Sequence, residues 1–157
     1  MHLIHRGIVN NFFKENLLIS FKQSFKKGYG VETDIHATKD NEFICFHDFT
    51  LKRILKKNLS VKNLNYSKIK EISTKLGKPI PLLKDLLKAS NNKHALFIEI
   101  KPLFSKSVLK KLIKETSRYT KCVFISFKHE NIFNLLNINK NTKVGLSFCP
   151  PTSVKKI

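Results

Sequence analysis

Four short polar clusters, each inside or directly after an apolar run, hold the residues of this chain best suited to chemistry: His5-Arg6-Gly7, Glu32-Thr33-Asp34, His47-Asp48 and Glu99-Ile100-Lys101. Between them they offer two imidazoles for proton transfer, carboxylates for a hard cation and two fixed cations for an anion. Cleaving a phosphodiester with a divalent metal requires such a set. Glu32 and Asp34 alternate with Val31, Thr33 and Ile35, so in a strand both carboxylates point to one side. Side by side they repel unless a cation or a proton sits between them, and oxygen ligands suit Mg²⁺ or Ca²⁺. Glu99 and Lys101 share a side in the same way around Ile100. Arg6 is able to grip phosphate through a bidentate fork, and Gly7 lets the backbone turn beside a ligand. Taken singly, each cluster has an ordinary explanation: a surface histidine, a solvated edge strand, a structural ion pair. As an ordered set at four successive strand ends, they point to an active site.

The elements that must position these clusters are short apolar runs alternating with longer amphipathic ones, the pattern of repeated βα units around a parallel sheet. Strands are expected at Leu3-Ile4, Val31 to Ile35, Phe43 to Phe46, Ala95 to Ile100, Cys122 to Ile125 and Val144 to Leu146. Helical spacing of Leu17, Leu18, Phe21 and Phe25 predicts a helix from about Glu15 to Lys27, which Gly28 stops. Thr38 to Asn41 reads as a tight turn, and residues 50–80 as a lysine-rich connection with short helical stretches. Further helices follow from Leu82, Leu83, Leu86 and Leu87, from Val108, Leu109, Leu112 and Ile113, and from Glu130 to Leu136. Catalytic groups at the C-terminal ends of strands are the habit of barrel enzymes. The fold expected is therefore α/β, of the (β/α)8 TIM-barrel type and incomplete, with about six βα units in a single domain over residues 1–157 that lacks the last two strands. Unpaired edges invite association, so a homo-oligomer covering the open barrel edges is one way to complete it.

Composition bounds the partners. The chain has 157 residues, 41% of them hydrophobic, enough for one packed core. Its formal charge is +19, and only Arg6, Arg53 and Arg118 among its 30 basic residues are arginine. Such a field favours phosphate esters and leaves room for peripheral contact with anionic lipid. The lysines are spread along the whole chain rather than clustered, so nucleic-acid binding is not expected. Cys45, Cys122 and Cys149 lie in apolar contexts without metal-ligand spacing, as buried thiols of a reducing compartment would. No signal-peptide pattern and no run near membrane-span length is present, which predicts a soluble cytoplasmic protein. His2, His36, His94 and His129 receive no role. His36 continues the alternation of Glu32 and Asp34 but lies towards the turn and is expected at the surface, and Lys155-Lys156 read as a solvated tail.

The order His5-Arg6-Gly7, Glu15-Asn16, Glu32 through Asp40 with its Glu-x-Asp and Thr-Lys-Asp, His47-Asp48, Ile80 through Leu83 and Glu99 through Lys101 resembles the signature of the glycerophosphodiester phosphodiesterase family. The resemblance covers about the first 101 residues, and Ile125-Ser126-Phe127 is similar to the family's fifth-strand Ser-Phe. It implies that Glu32, Asp34 and Glu99 bind a divalent metal, that His5 and His47 form the general acid/base pair, and that Arg6 and Lys101 hold the phosphate oxygens. It further implies hydrolysis of glycerophosphodiesters to glycerol 3-phosphate and an alcohol. Two alternatives accompany that expectation: a lysophospholipase-D-like activity, and a catalytically inactive basic remnant that binds anionic lipid or nucleic acid.

Overall fold

The computed structural model describes residues 2–148; Cys149 and Lys155-Lys156 lie outside the described residues. Six strands form: β1 (Leu3–His5), β2 (Gly30–Ala37), β3 (Phe43–Cys45), β4 (Leu96–Ile100), β5 (Cys122–Ser126) and β6 (Val144–Leu146). Six α-helices intervene: α1 (Leu18–Lys26), α2 (Lys52–Leu55), α3 (Tyr66–Lys75), α4 (Leu83–Ser90), α5 (Lys106–Thr116) and α6 (His129–Ile138). The strand order is β1-β2-β4-β5-β6, with every neighbouring pair parallel. Sequential order in a parallel sheet means each crossover returns on the same side, so one layer of helices covers one face, as in a (β/α) barrel wall.

The third strand differs from its expected place. It pairs antiparallel with the far half of β2, Ile35 opposite Cys45 and Ala37 opposite Phe43. A link as short as residues 38–42 allows only a hairpin, because a parallel neighbour needs a crossover of a dozen residues or more. Thr38 closes the turn: its backbone N–H donates to the Glu42 carbonyl at 3.0 Å and its hydroxyl caps Asp40. Five of the described strands, not six, therefore belong to the barrel wall.

Alternation along β2 divides the molecule. Val31, Thr33 and Ile35 are fully buried on the helix side. There Val31 and Ile35 join Phe21 and Phe25 of α1, Leu86 and Leu87 of α4, Leu109 and Leu112 of α5, Ile132 and Leu135 of α6, and Ile98 and Ile100 of β4. Burying each such side chain is worth about 1.5–3 kcal/mol, and emptying the Phe21 site would cost about 3–5 kcal/mol. A second cluster, built from Ile44, Phe46, Leu51, Leu55, Val61, Ile69, Ile80 and Leu82, supports the long connection from β3 to α4. The opposite face of the sheet carries the polar clusters. Gly30 lets the strands approach at its base: a Cβ there would stand 2.7 Å from the Ala95 carbonyl oxygen.

Candidate active site

Register decides which polar side chains meet. His5 lies opposite Glu32, and Asp34 opposite Glu99, on three adjoining parallel strands. One ligand oxygen from each of Glu32, Asp34 and Glu99 falls within 4.8 Å of the others. Asp34 is fully buried and Glu99 nearly so. Burial, with the charges of Asp34 and Glu99 added, pushes the Glu32 carboxyl up to about 7.

Two cations border this cluster. Lys101 Nζ stands 2.9 Å from a Glu99 oxygen and 3.5 Å from Asp34 Oδ1. Arg6 Nε stands 3.0 Å from Asp34 Oδ2, off the angle of a hydrogen bond, and its NH1 reaches Glu15 at 3.4 Å. Arg6 gets there through an unusual backbone, with φ of 56° followed by Gly7 at 76°. A left-handed non-glycine residue is held at some cost by what surrounds it. Here the Arg6 N–H donates to the Glu32 carbonyl at 2.9 Å, and Gly7 is pressed so close to α1 that a Cβ would meet the Ser20 carbonyl carbon at 2.9 Å. Asn16, also left-handed and 3% exposed, donates to Asp34 Oδ2 at 3.2 Å and accepts from the Thr33 hydroxyl at 2.8 Å.

The histidines are placed differently. His5 is mostly exposed, its Nε2 3.7 Å from Glu32 Oε2. His47 is brought back beside β2 by the antiparallel course of β3, where the Phe46 N–H donates to the Asp34 carbonyl at 2.9 Å. Its Nδ1 lies 2.6 Å from Asp48 Oδ1. Burial raises the Asp48 carboxyl, but hydrogen bonds from Arg53 and His47 outweigh this and hold it below its ordinary value. An ionised carboxylate only accepts, so Nδ1 carries the proton and Nε2 is the free nitrogen.

Six of the seven expected site residues thus meet through direct contacts: His5, Arg6, Glu32, Asp34, Glu99 and Lys101. His47 is tied to them by a longer polar path, through Asp48, Arg53 and Glu15 to Arg6. His36 is not a surface residue: it is 3% exposed, its Nε2 donates to the His47 carbonyl at 3.1 Å, and burial lowers its basicity. It props the loop that carries His47. Ser126 is buried too and ties β5 to β4 through a 2.7 Å bond to the Ile100 carbonyl, a structural place. Asp48 and Arg53 are polar residues that the strand-end pattern gave no role. The signal that marks Arg53 is its type, one of three arginines in a lysine-rich chain.

A divalent cation fits this donor set. Glu32 Oε2 and Asp34 Oδ1 are buried without any hydrogen-bond partner, and buried anionic oxygens without one are costly and uncommon. A hard cation among the three carboxylates would satisfy both and remove the repulsion that raises Glu32.

Residues 5–147 match the model of the Glycerophosphoryl diester phosphodiesterase family. A glycerophosphodiester phosphodiesterase of Caldanaerobacter subterraneus subsp. tengcongensis is 28% identical over 160 residues, covering 93% of this chain and 65% of the relative. A human lysophospholipase D is 31% identical over 134 residues, covering 76% of this chain and 42% of the relative. The chain therefore spans less than two thirds of the length of these relatives. Among solved structures, an Oleispira antarctica phosphodiesterase in complex with the product sn-glycerol-3-phosphate superposes with a TM-score of 0.79 at 18% identity, over 96% of this chain and 67% of that one. At that identity the likeness is one of fold.

Proposed function

The chain belongs to the glycerophosphoryl diester phosphodiesterase family, and from that premise we propose that it is a metal-dependent hydrolase releasing glycerol 3-phosphate and an alcohol from glycerophosphodiesters. The observation that carries this reading is the trio of Glu32, Asp34 and Glu99, gathered within 4.8 Å, with Arg6 and Lys101 at its border. Glu32, Asp34 and Glu99 would hold Mg²⁺ or Ca²⁺, which supplies positive charge against the negative charge that builds on phosphorus. Arg6 has five N–H donors and spends few of them on Asp34 and Glu15, so its guanidinium retains donors for a phosphate oxygen. Lys101 stands across Asp34 to bind a second one. His5 and His47 share the proton work, His47 at Nε2 because Asp48 holds its Nδ1 proton. One of them takes a proton from the nucleophile and the other gives one to the departing alcohol.

A second reading is lysophospholipid hydrolysis, the activity named for the human relative. Phe49, Leu103 and Phe127, each just past a strand end on the side of the site, expose roughly half of their surface, and an acyl chain would cover them. Two buried free thiols, Cys45 and Cys122, both pushed up to about 12 by burial, suit the reducing cytoplasm proposed as its setting. No helix among the described residues is long and apolar enough to cross a membrane.

The test is incubation of the purified, folded chain with glycerophosphocholine or lysophosphatidylcholine in EDTA, Mg²⁺ or Ca²⁺, followed by assay of glycerol 3-phosphate and of lysophosphatidic acid. Metal-dependent release of glycerol 3-phosphate is expected. Release from neither substrate by a folded, metal-supplied sample would overturn the hydrolase reading in favour of a basic binding module.

A further inference from the structure

Arg53 lies outside the strand-end clusters, on the four-residue helix α2 that follows β3. Its neighbours Leu51 and Leu55 are fully buried in the second apolar cluster and fix the helix in place. From there the guanidinium makes two forks. Towards Asp48, Nε donates to Oδ2 at 2.6 Å and NH2 to Oδ1 at 3.0 Å. Towards Glu15, NH1 donates to Oε2 at 3.2 Å and NH2 to Oε1 at 2.5 Å.

Each of those carboxylates holds one expected site residue. Asp48 Oδ1 accepts a hydrogen bond from the Nδ1–H of His47 at 2.6 Å, and Glu15 accepts one from NH1 of Arg6 at 3.4 Å. Glu15 belongs to the loop after β1, Asp48 to the loop after β3. No backbone pairing joins the two loops across Arg53, and among the described residues its guanidinium is the one polar tie between them. We propose that Arg53 is a positioning residue of the hydrolytic site, clamping Glu15 and Asp48 so that the Arg6 guanidinium and the His47 imidazole face the same phosphate.

An exposed ion pair usually adds little to stability, and nearly half of the Arg53 side chain is open to solvent. Its value is geometric. A planar fork fixes two carboxylates at once, which an ammonium on a flexible stem does not. Lys52 and Lys56 lie on either side in sequence and bring charge without that shape. Losing the fork should therefore cost turnover far more than folding, since small misplacement of reacting groups costs about 10²-fold.

The kinetic arm rests on the hydrolase reading; a spectroscopic arm does not. In the full chain labelled with ¹⁵N-histidine, His47 is identified by the signal lost in His47→Gln. The wild type should show an Nδ1–H tautomer with a ring proton protected from exchange. Arg53→Ala should mix the tautomers and expose that proton, leave His2, His94 and His129 unchanged, and move the thermal midpoint by only a few degrees. In turnover, Arg53→Ala should lower kcat about 10²-fold with KM within about threefold. Added methylguanidinium should restore part of the loss, and Arg53→Lys should restore less than the wild-type fork. A wild type without turnover on any diester would sink the hydrolase reading, and the His47 spectrum would still decide the clamp. An unchanged His47 signal in folded Arg53→Ala would overturn the clamp. Should Arg53→Ala not fold, Glu15→Gln removes one fork partner and leaves Asp48 in place, and the same signal is read: altered supports the clamp, unaltered overturns it.

Discussion

Two glutamates in this molecule are displaced from their ordinary acidity in opposite directions. Glu32, on the sheet face with Asp34 and Glu99, is pushed up to about 7, and burial is the largest cause. Glu71, on the surface of α3, is drawn down to about 2 by hydrogen bonds from Lys75 and Lys68. At Glu71 the surroundings complete the charge; at Glu32 they leave it in conflict. Burial added to like charges is the kind of conflict that a bound cation resolves, and groups so perturbed gather at functional sites. Glu42, bound by Lys84 at 3.2 Å and Lys111 at 3.1 Å, belongs with Glu71.

The sharpest way to break the comparison is Glu32→Gln. Removing one charge from the carboxylate trio should lower metal-dependent turnover about 10²–10³-fold, the scale seen when one electrostatic partner of a reacting group is lost. In the chelated protein at pH 8 the same change should raise the thermal midpoint, because a repelling charge is gone. A variant that loses activity and stability together would mean that Glu32 is a structural carboxylate.

Acidity gives the next test. A carboxyl whose folded value lies above its unfolded one weakens the fold when it ionises. For metal-free protein the Glu32 contribution is intact below about 4.5 and is lost as the pH rises through about 7. The difference corresponds to an upper bound of about 3 kcal/mol. Thermal midpoints in EDTA should therefore fall between pH 5 and pH 8 more steeply for the wild type than for Glu32→Gln, and Mg²⁺ or Ca²⁺ should close the gap. Glu15 and Asp48 carry the opposite sign. Burial raises both, but hydrogen bonds from Arg53 outweigh it and hold them low, so their contribution is present above the ordinary carboxylate range and lost in acid.

Much of this was legible in the residues. Alternation placed Glu32 and Asp34 on one side of a strand, and six apolar runs became six strands. The direction of β3 was not read, because Phe43, Ile44 and Cys45 are buried on every side and a short apolar run carries no sense of polarity; the brevity of the turn before it did. His36 is still inside β2 and alternates with Asp34, so it shares the buried face despite its nearness to the turn. Arg53 was missed because a helix one turn long has no periodicity, and its partners Glu15 and Asp48 lie 38 and 5 residues away. Contacts of that kind are made by loops meeting over a sheet.

Satisfied carboxylates should answer weakly. Glu42→Gln frees Lys84 and weakens the tie from Lys111, whose Nζ also donates to the Asn41 carbonyl at 2.6 Å. The pair is partly exposed, so a cost of about 0.5–1 kcal/mol in denaturant unfolding is expected, with turnover unchanged. A loss of turnover would extend the functional region to the β2–β3 hairpin.

The smallest effect belongs to Glu71, although its acidity is displaced as far as that of Glu32. Both of its lysine partners, at 2.9 and 2.8 Å, are more than half exposed, so the attraction is weak in the high dielectric of water, and salt weakens it further as the screening length shrinks to about 3 Å at 1 M. Holding three long side chains together also costs rotamer freedom that the attraction must offset. Glu71→Gln should therefore leave turnover unchanged and shift the thermal midpoint by no more than about 1 °C, with even that difference gone in 1 M salt. A larger, salt-resistant shift would show that displacement of acidity, rather than burial without a partner, measures what a carboxylate contributes here, and the contrast with Glu32 would lose its meaning.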